Sequence, residues 1–246
     1  MSGPAVRGRQ GRAVEVLGRA VVGGRYRPGD LLPTEDGLCA ELGVSRTTVR
    51  GAVAVLGAKG LLKVRPRVGT RVQPRALWNT FDPDILVWAH AEGDEAGLVE
   101  SFVALRQVLE PAAARVAAGR ASMADLEPLR RAVATMTASV DEPGSYPDAD
   151  VAFHQALYAA THNAYFERFG MLVGEFMRIA FQIQQSAAVP ATSLAADAGR
   201  HVAVYEAIRR GDCDGAAAAM LEVVLDGKTE LSAAFAQRAA DEGRQR

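Results

Sequence analysis

Apolar residues in the N-terminal stretch recur at helical spacing in three short runs, each bounded by a cap or a stop. Ala13, Val14, Leu17 and Val21 form the first stripe, closed by Gly23-Gly24. Leu38 and Leu42, one helical turn apart, mark a second helix. Thr34 is its N-cap candidate, Glu35 and Asp36 suit the positive end of its dipole, and Gly43 stops it. Ser45 caps a third helix predicted from Arg46 to Lys59, with Val49, Val53 and Leu56 facing the core. After Gly60-Leu61, the runs Leu62-Lys63-Val64-Arg65 and Thr70-Arg71-Val72 alternate apolar with basic. That alternation predicts a two-stranded hairpin with one face on the core and a turn over residues 65–69.

Beyond Arg75 the alternation disappears. Alanine and leucine dominate, with breaks at Gly93, Gly119 to Ser122, Asp141 to Gly144, Pro190 and Gly211-Asp212. Helices are predicted near 83–91, 95–118, 123–139, 147–162, 164–187, 194–210 and 213–240. Leu98, Phe102, Leu105 and Leu109 keep helical spacing on the first long helix, so the alanine-rich composition is not that of a linker. The expected chain is mainly α. A winged helix-turn-helix, three helices plus a β-hairpin wing, spans residues 8–75; a linker covers 76–82; an all-helical bundle follows over 83–240.

A helix-turn-helix places its second helix in the DNA major groove. Arg46, Thr47 and Arg50 fall in the first turns of that helix, on or near the face opposite the apolar stripe. Arginine's planar fork can bond O6 and N7 of guanine together. Ser45 and Thr48 suit phosphate oxygens, which set register rather than sequence. Lys63, Arg65, Arg67 and Thr70 supply further donors on the hairpin. Charge supports the reading once the chain is divided. The whole carries a net −1, but residues 1–75 hold 14 Lys+Arg against 5 Asp+Glu, and residues 76–246 hold 14 against 24. A basic head on an acidic body suits a nucleic-acid reader with a separate second domain.

Composition excludes several classes. No stretch approaches the roughly 18 apolar residues of a membrane span. MSGPAVRGRQGR has charges but no apolar core of a secretory signal, so a cytoplasmic protein is expected. Cys39 and Cys213, far apart, read as reduced thiols. No CxxC, P-loop or GxGxxG opening a βαβ unit is present.

In the second part, chemistry concentrates at three places. Asp150 and His154 are four apart and project from one helix face, close enough to share a ligand or cation. His201 lies on a later helix with Val202, Tyr205 and Ile208 as its apolar stripe. Arg106 sits among Val103, Leu105, Val108 and Leu109, so its guanidinium is expected to face a pocket or an ion-pair partner. Arg178 is a second candidate cation. His90 and His162 have no partners at motif spacing and read as structural, and Phe176, Met177 and Phe181 read as core.

The stretch GRYRPGDLLPTEDGLCAELGVSRTTVRGAVAVLGAKGLLKVRPRVGTRV resembles the DNA-binding domain of the GntR family of bacterial regulators. The matching elements are YRPGDLLPTE, LGVSRTTVR, the KGLL helix exit and the GT of the wing. One position departs. Members of the FadR type often carry an arginine that reaches DNA where this chain has Asp36. The second part resembles the FCD ligand-binding domain of that subfamily, through DVAFH at Asp150 and His154 and through RHVAVYEAIRRGDCDGAAAAM with His201. The resemblance implies an effector cavity and, in many members, a divalent metal on one Asp and three His. Here Asp150, His154 and His201 fit, but Val223 stands where a further His is expected. Any zinc or other divalent ion is therefore expected to be weakly held. The link from Arg75 to Trp88, the Leu105-Arg106 to Glu110-Pro111 segment and the Thr161-His162-Asn163 turn are similar to those of a galactonate-operon branch of the subfamily.

These readings point to a homodimeric repressor of sugar-acid catabolic genes, released from a palindromic DNA operator by a small carboxylate effector. Arg106, Asp150, His154, Arg178 and His201 are its candidate effector-binding residues. Two alternatives stay open: a metal-responsive regulator, and a metal-dependent enzyme with an accessory DNA-binding head. Against the enzyme, no nucleophile has a base at motif spacing, and no second carboxylate lies near Asp150 in the sequence.

Overall fold

The computed structural model of the protein describes residues 8–92, 96–140, 143–186 and 191–244. It forms two compact units, the first ending at Leu98 and the second beginning at Val99.

In the first unit, α1 (Arg9–Val22), α2 (Glu35–Leu42) and α3 (Arg46–Ala58) precede a hairpin of β1 (Leu62–Arg65) and β2 (Gly69–Val72). Thr34 caps α2 by accepting from Gly37 N at 3.2 Å, and Ser45 caps α3 by accepting from Thr48 N at 3.3 Å. Gly43 takes a left-handed φ of 63° between them, a conformation that only glycine adopts cheaply, and this sets the turn. Ala13, Val14, Leu17, Val21, Leu38, Val49, Val53 and Leu56 all bury in one core, as their spacing predicts. The strands pair antiparallel, Leu62 opposite Val72 and Val64 opposite Thr70. Leu62 and Val72 are buried, but Val64 is 61% exposed. Only the base of the hairpin therefore covers the core, and its tip stands clear. A strand face can be apolar by pattern and still find nothing to pack on once the hairpin outruns the helices.

The linker and first bundle helix expected at 76–82 and 83–91 belong instead to this first unit. Here α4 (Pro83–Ala91) follows a 3₁₀ turn at Arg75–Leu77. Trp78, Ile85, Trp88 and Ala89 join the core of the first unit. Trp88 packs on Gly18, where a Cβ would come within 2.5 Å of the indole. Lys59, the C-cap of α3, places Nζ 2.7 Å from carboxylates of both Asp82 and Asp84. Arg19 meets Glu92 at 2.6 Å. A short apolar helix carries no label saying which core it serves; the two tryptophans and these ion pairs decide it.

The second unit is all helix among the described residues. It comprises α5 (Ala96–Arg120), whose first turn holds the boundary, α6 (Met123–Ala138), α7 (Tyr146–Ala159), α8 (Ala164–Ser186), α9 (Ala191–Arg209) and α10 (Cys213–Arg244). Its core gathers Leu129 and Met136 from α6, Phe153 and Leu157 from α7, Val204 and Ile208 from α9, and Met220 and Val224 from α10. Phe102 of α5 meets Phe169 and Phe176 of α8, with ring centroids 5.6 and 4.5 Å apart. The buried face of α5 is not the Phe102, Leu105, Leu109 stripe, which is half-buried. It is Val99, Val103, Arg106, Glu110, Ala113 and Ala117, one position over.

Candidate functional site

The first candidate surface is the outer face of α3 with the hairpin tip. Arg46, Thr47 and Arg50 are exposed in the first turns of α3, while Val49, Ala52 and Val53 bury. Ser45 is exposed, and its hydroxyl lies 3.0 Å from that of half-buried Thr48. Lys63, Arg65 and Arg67 are exposed along the hairpin, and Thr70 is half-buried. Arg67 and Gly69 take φ of 64° and 113°, which tightens the tip. The two α3 arginines are not loose. Arg46 Nη2 lies 2.8 Å from Asp36 Oδ1, and Arg50 Nε donates to both oxygens of Glu35 at 2.9 and 3.0 Å.

The second candidate is a polar cluster inside the helical unit. Asp150 and His154 on α7 and His201 on α9 are all buried, and one ligand atom from each lies within 4.8 Å of the others. His201 Nε2 stands 3.0 Å from Asp150 Oδ1 and 3.4 Å from His154 Nε2, and His154 Nε2 stands 3.4 Å from Asp150 Oδ1. These three residues therefore converge, although 47 positions separate the histidines.

The other ring nitrogens set the tautomer of His201 and favour the same one in His154. His201 Nδ1 is 2.9 Å from the Asp197 carbonyl, which can only accept, so Nδ1 carries the proton. His154 Nδ1 is 3.2 Å from Glu110 Oε2, another acceptor, although off the line of a good hydrogen bond. In the neutral rings both Nε2 lone pairs then face Asp150. Pairing the outer nitrogen with a carboxylate or carbonyl is how proteins orient metal-binding imidazoles.

Electrostatics ties the cluster together. Burial alone would push Glu110 up, but the Arg106 guanidinium and His154 hold it down to about 2. Burial likewise opposes ionisation of Asp150, and His201 and His154 overcome it, holding Asp150 below the usual carboxylate range. Burial would depress both imidazoles; Glu110 and Asp150 raise His154, and Asp197 and Asp150 raise His201 to about 9. Without an ion, the surrounding carboxylates thus favour the protonated form of both histidines. The donor set also fits a divalent cation. Asp150 Oδ1 is buried and faces His201 Nε2 and His154 Nε2 at 3.0 and 3.4 Å without a well-aligned hydrogen bond. A cation between the three ligand atoms would satisfy that oxygen.

Arg106 is buried beneath this cluster and satisfied by a bidentate pair, Nε and Nη2 to Glu110 at 2.7 and 3.1 Å. Its guanidinium also lies 5.7 Å from the Phe176 ring centre. Arg178 does not join. It is exposed and pairs with Glu175 at 2.9 Å. Val202, expected on the inner stripe of α9, is 36% exposed, and Ala198, Val204 and Ala207 take that place. Val223 is buried in the apolar core beside the site's helices and offers no ligand atom.

Sequence reading missed Glu110, Asp197, Tyr146 and Tyr158. Asp197 accepts from Tyr146 Oη at 2.6 Å. The Tyr158 hydroxyl is buried beside Glu110, and burial and that carboxylate push it far up. A signal was present for two of them. Arg106–Glu110 and Asp197–His201 have the same four-residue spacing as Asp150–His154. The carboxylate judged absent near Asp150 arrives from other helices.

Comparison with known proteins settles the family. Residues 9–72 match the bacterial regulatory proteins, gntR family, and residues 101–226 match the FCD domain. The chain belongs to the GntR family of bacterial regulators. This GntR regulator is 31% identical over 223 residues to the galactonate operon transcriptional repressor of Escherichia coli, covering 89% of this chain and 95% of that one. It is 30% identical over 217 residues to the HTH-type transcriptional regulator LutR of Bacillus subtilis, covering 86% and 96%. Among solved structures it is similar in fold to Lar, which controls expression of the Listeria monocytogenes agr system. That match has a TM-score of 0.59 and 20% identity, over 91% of this chain and 96% of that one. The protein is thus a DNA-binding transcriptional regulator rather than an enzyme, and the metal-dependent enzyme alternative falls. Among the described residues, no helix is long and apolar enough to cross a membrane.

Proposed function

We propose that this regulator is a homodimeric cytoplasmic repressor that leaves a palindromic operator when a sugar acid enters its helical unit. The observation that carries the reading is the buried convergence of Asp150, His154 and His201 beside Arg106. Burying this many charged groups is costly unless partners compensate them. The cluster is suited to an anionic, hydroxyl-bearing ligand. Asp150, His154 and His201 would hold a divalent ion such as zinc, which supplies Lewis acidity toward ligand oxygens. Three protein ligands leave positions for those oxygens. Glu110 already engages Nε and Nη2 of Arg106, so a ligand carboxylate would meet Arg106 through Nη1. The likeness to a galactonate operon repressor over nearly its whole length supports a sugar acid.

Dimerisation follows from the reader. One α3 spans only a few base pairs, and a two-fold pair doubles the sequence read. Release requires the acid to bind one arrangement of the dimer better than the other, since equal affinity shifts nothing.

The test is operator release by a panel of aldonic and uronic acids, with zinc present and after chelation. Release by one acid, lost in Asp150→Ala and Arg106→Ala while operator binding persists, is the expected result. Release by zinc with no acid would replace this reading with a metal-responsive one. No release by any acid, from a protein that binds operator, would overturn it.

A further inference from the structure

The two α3 arginines are each held by a carboxylate from the first turn of α2, and the two pairs differ in what they explain. Glu35 and Asp36 both suit the positive end of the α2 dipole. That accounts for acidity at these positions but not for where the side chains go. Asp36 is well out in solvent, its side chain 69% exposed, and it reaches Arg46, itself 67% exposed, at 2.8 Å. No packing demands the contact. Asp36 also stands where the resemblance implies an arginine directed at DNA. A carboxylate cannot take over a phosphate contact, because phosphate repels it.

Groups on the major-groove edge of a base pair narrow what Asp36 can meet. Guanine N7 and O6, adenine N7 and thymine O4 are acceptors; the only donors are the exocyclic amines, cytosine N4 and adenine N6. An ionised carboxylate facing the groove is attracted to an amine and repelled by everything else there. Arg46 has the complementary position. Its Nη2 lies 2.8 Å from Asp36, and its remaining N–H groups can still bond O6 and N7 of a guanine. An ion pair this exposed is worth little, and it biases the Arg46 side chain toward Asp36 without locking it.

We propose that Asp36 is a specificity-determining residue. It biases the Arg46 fork toward a guanine and accepts from the exocyclic amine of the adjoining base, so that the Asp36–Arg46 pair reads a two-base step. In this chain the position reads sequence by attraction to one chemistry and repulsion of the other, instead of adding affinity for any DNA.

The experiment is selection of bound sequences from a pool of randomised duplexes at one fixed salt concentration. It uses the full-length wild type, Asp36→Ala, Asp36→Asn and Arg46→Ala. Wild type should enrich, in each half-site, a guanine flanked by adenine or cytosine. Arg46→Ala should lose the guanine. Asp36→Ala should lose the flanking preference, bind non-specific DNA more tightly, and show a specific-to-non-specific ratio lower by on the order of 10-fold. Asp36→Asn, with a donor and an acceptor on one amide, should admit any base at the flanking position. Because Asp36 is exposed, the Asp36 variants should melt with the wild type. An unchanged motif and ratio in Asp36→Ala would overturn the proposal. So would a change in affinity equal across all sequences, which is what loss of a charge acting on the phosphate backbone, and not of a base contact, produces.

Discussion

Glu110 offers the sharpest check on how the helical unit is held. Replacing it with Gln keeps the shape and removes the charge, leaving the buried Arg106 guanidinium without its bidentate partner. Breaking a buried pair from one side costs about 3–5 kcal/mol. An independent route gives the same size. A carboxyl held at about 2 when folded, against 4.5 when free, corresponds to about 3 kcal/mol at neutral pH. For a chain of this length that is a fall in melting temperature of roughly 10 °C. The folded value lies below the unfolded one, so this contribution is complete above pH about 4.5 and is lost as pH falls toward 2. The gap between wild type and Glu110→Gln should therefore shrink on acidification. Replacing both partners, Arg106→Met with Glu110→Leu, should recover part of the loss, because the guanidinium is then not stranded and His154 keeps Asp150. Urea and thermal unfolding of wild type, both single variants and the double variant supply the cycle. If Glu110→Gln unfolds within about 1 kcal/mol of wild type at pH 7, or the double variant is no better than the single, the buried-pair account is wrong.

Three further outcomes are expected. Arg50→Ala should weaken operator binding about 10-fold in a gel-shift assay at fixed salt, whereas Lys63→Ala or Arg65→Ala on the hairpin should weaken all sequences alike and flatten the salt dependence. Gly18→Ala should destabilise the first unit by about 1–3 kcal/mol in thermal unfolding, because the added methyl would fall within 2.5 Å of the Trp88 ring that seats α4. Zinc affinity should rise from pH 7 to 9 in a competition titration, since His201 is held protonated up to about 9 and must lose its proton to bind a metal. Val223 adds no ligand, so a chelator should strip the ion readily.

Much of the fold was legible because the signals were local. Caps, glycine stops and periodicity place nearly every helix within a few residues. What was not legible depended on tertiary partners. The apolar stripe of Phe102, Leu105 and Leu109 on α5 is only half-buried, because Arg106 and Glu110 occupy the inner face by neutralising each other. Val64 was assigned a buried face that nothing covers. The helix at 83–91 was given to the wrong unit because its tryptophans say only that it is buried, not against what.

The buried site shows where sequence reading stops for a physical reason. Three polar pairs, Arg106–Glu110, Asp150–His154 and Asp197–His201, each sit four apart on α5, α7 and α9. Taken singly, such pairs are ordinary solvated helix decoration, worth a few tenths of a kcal/mol. Their meaning comes from facing inward together. Glu110 then reaches His154 from another helix, and Asp197 orients His201 from its own. The ligand atoms are supplied by two helices and aligned by groups on α5 and α9, so the site exists only when the bundle is assembled. A ligand or metal that binds there is linked to the packing of these helices. That linkage would let whatever binds there act on the helical unit as a whole rather than on one side chain.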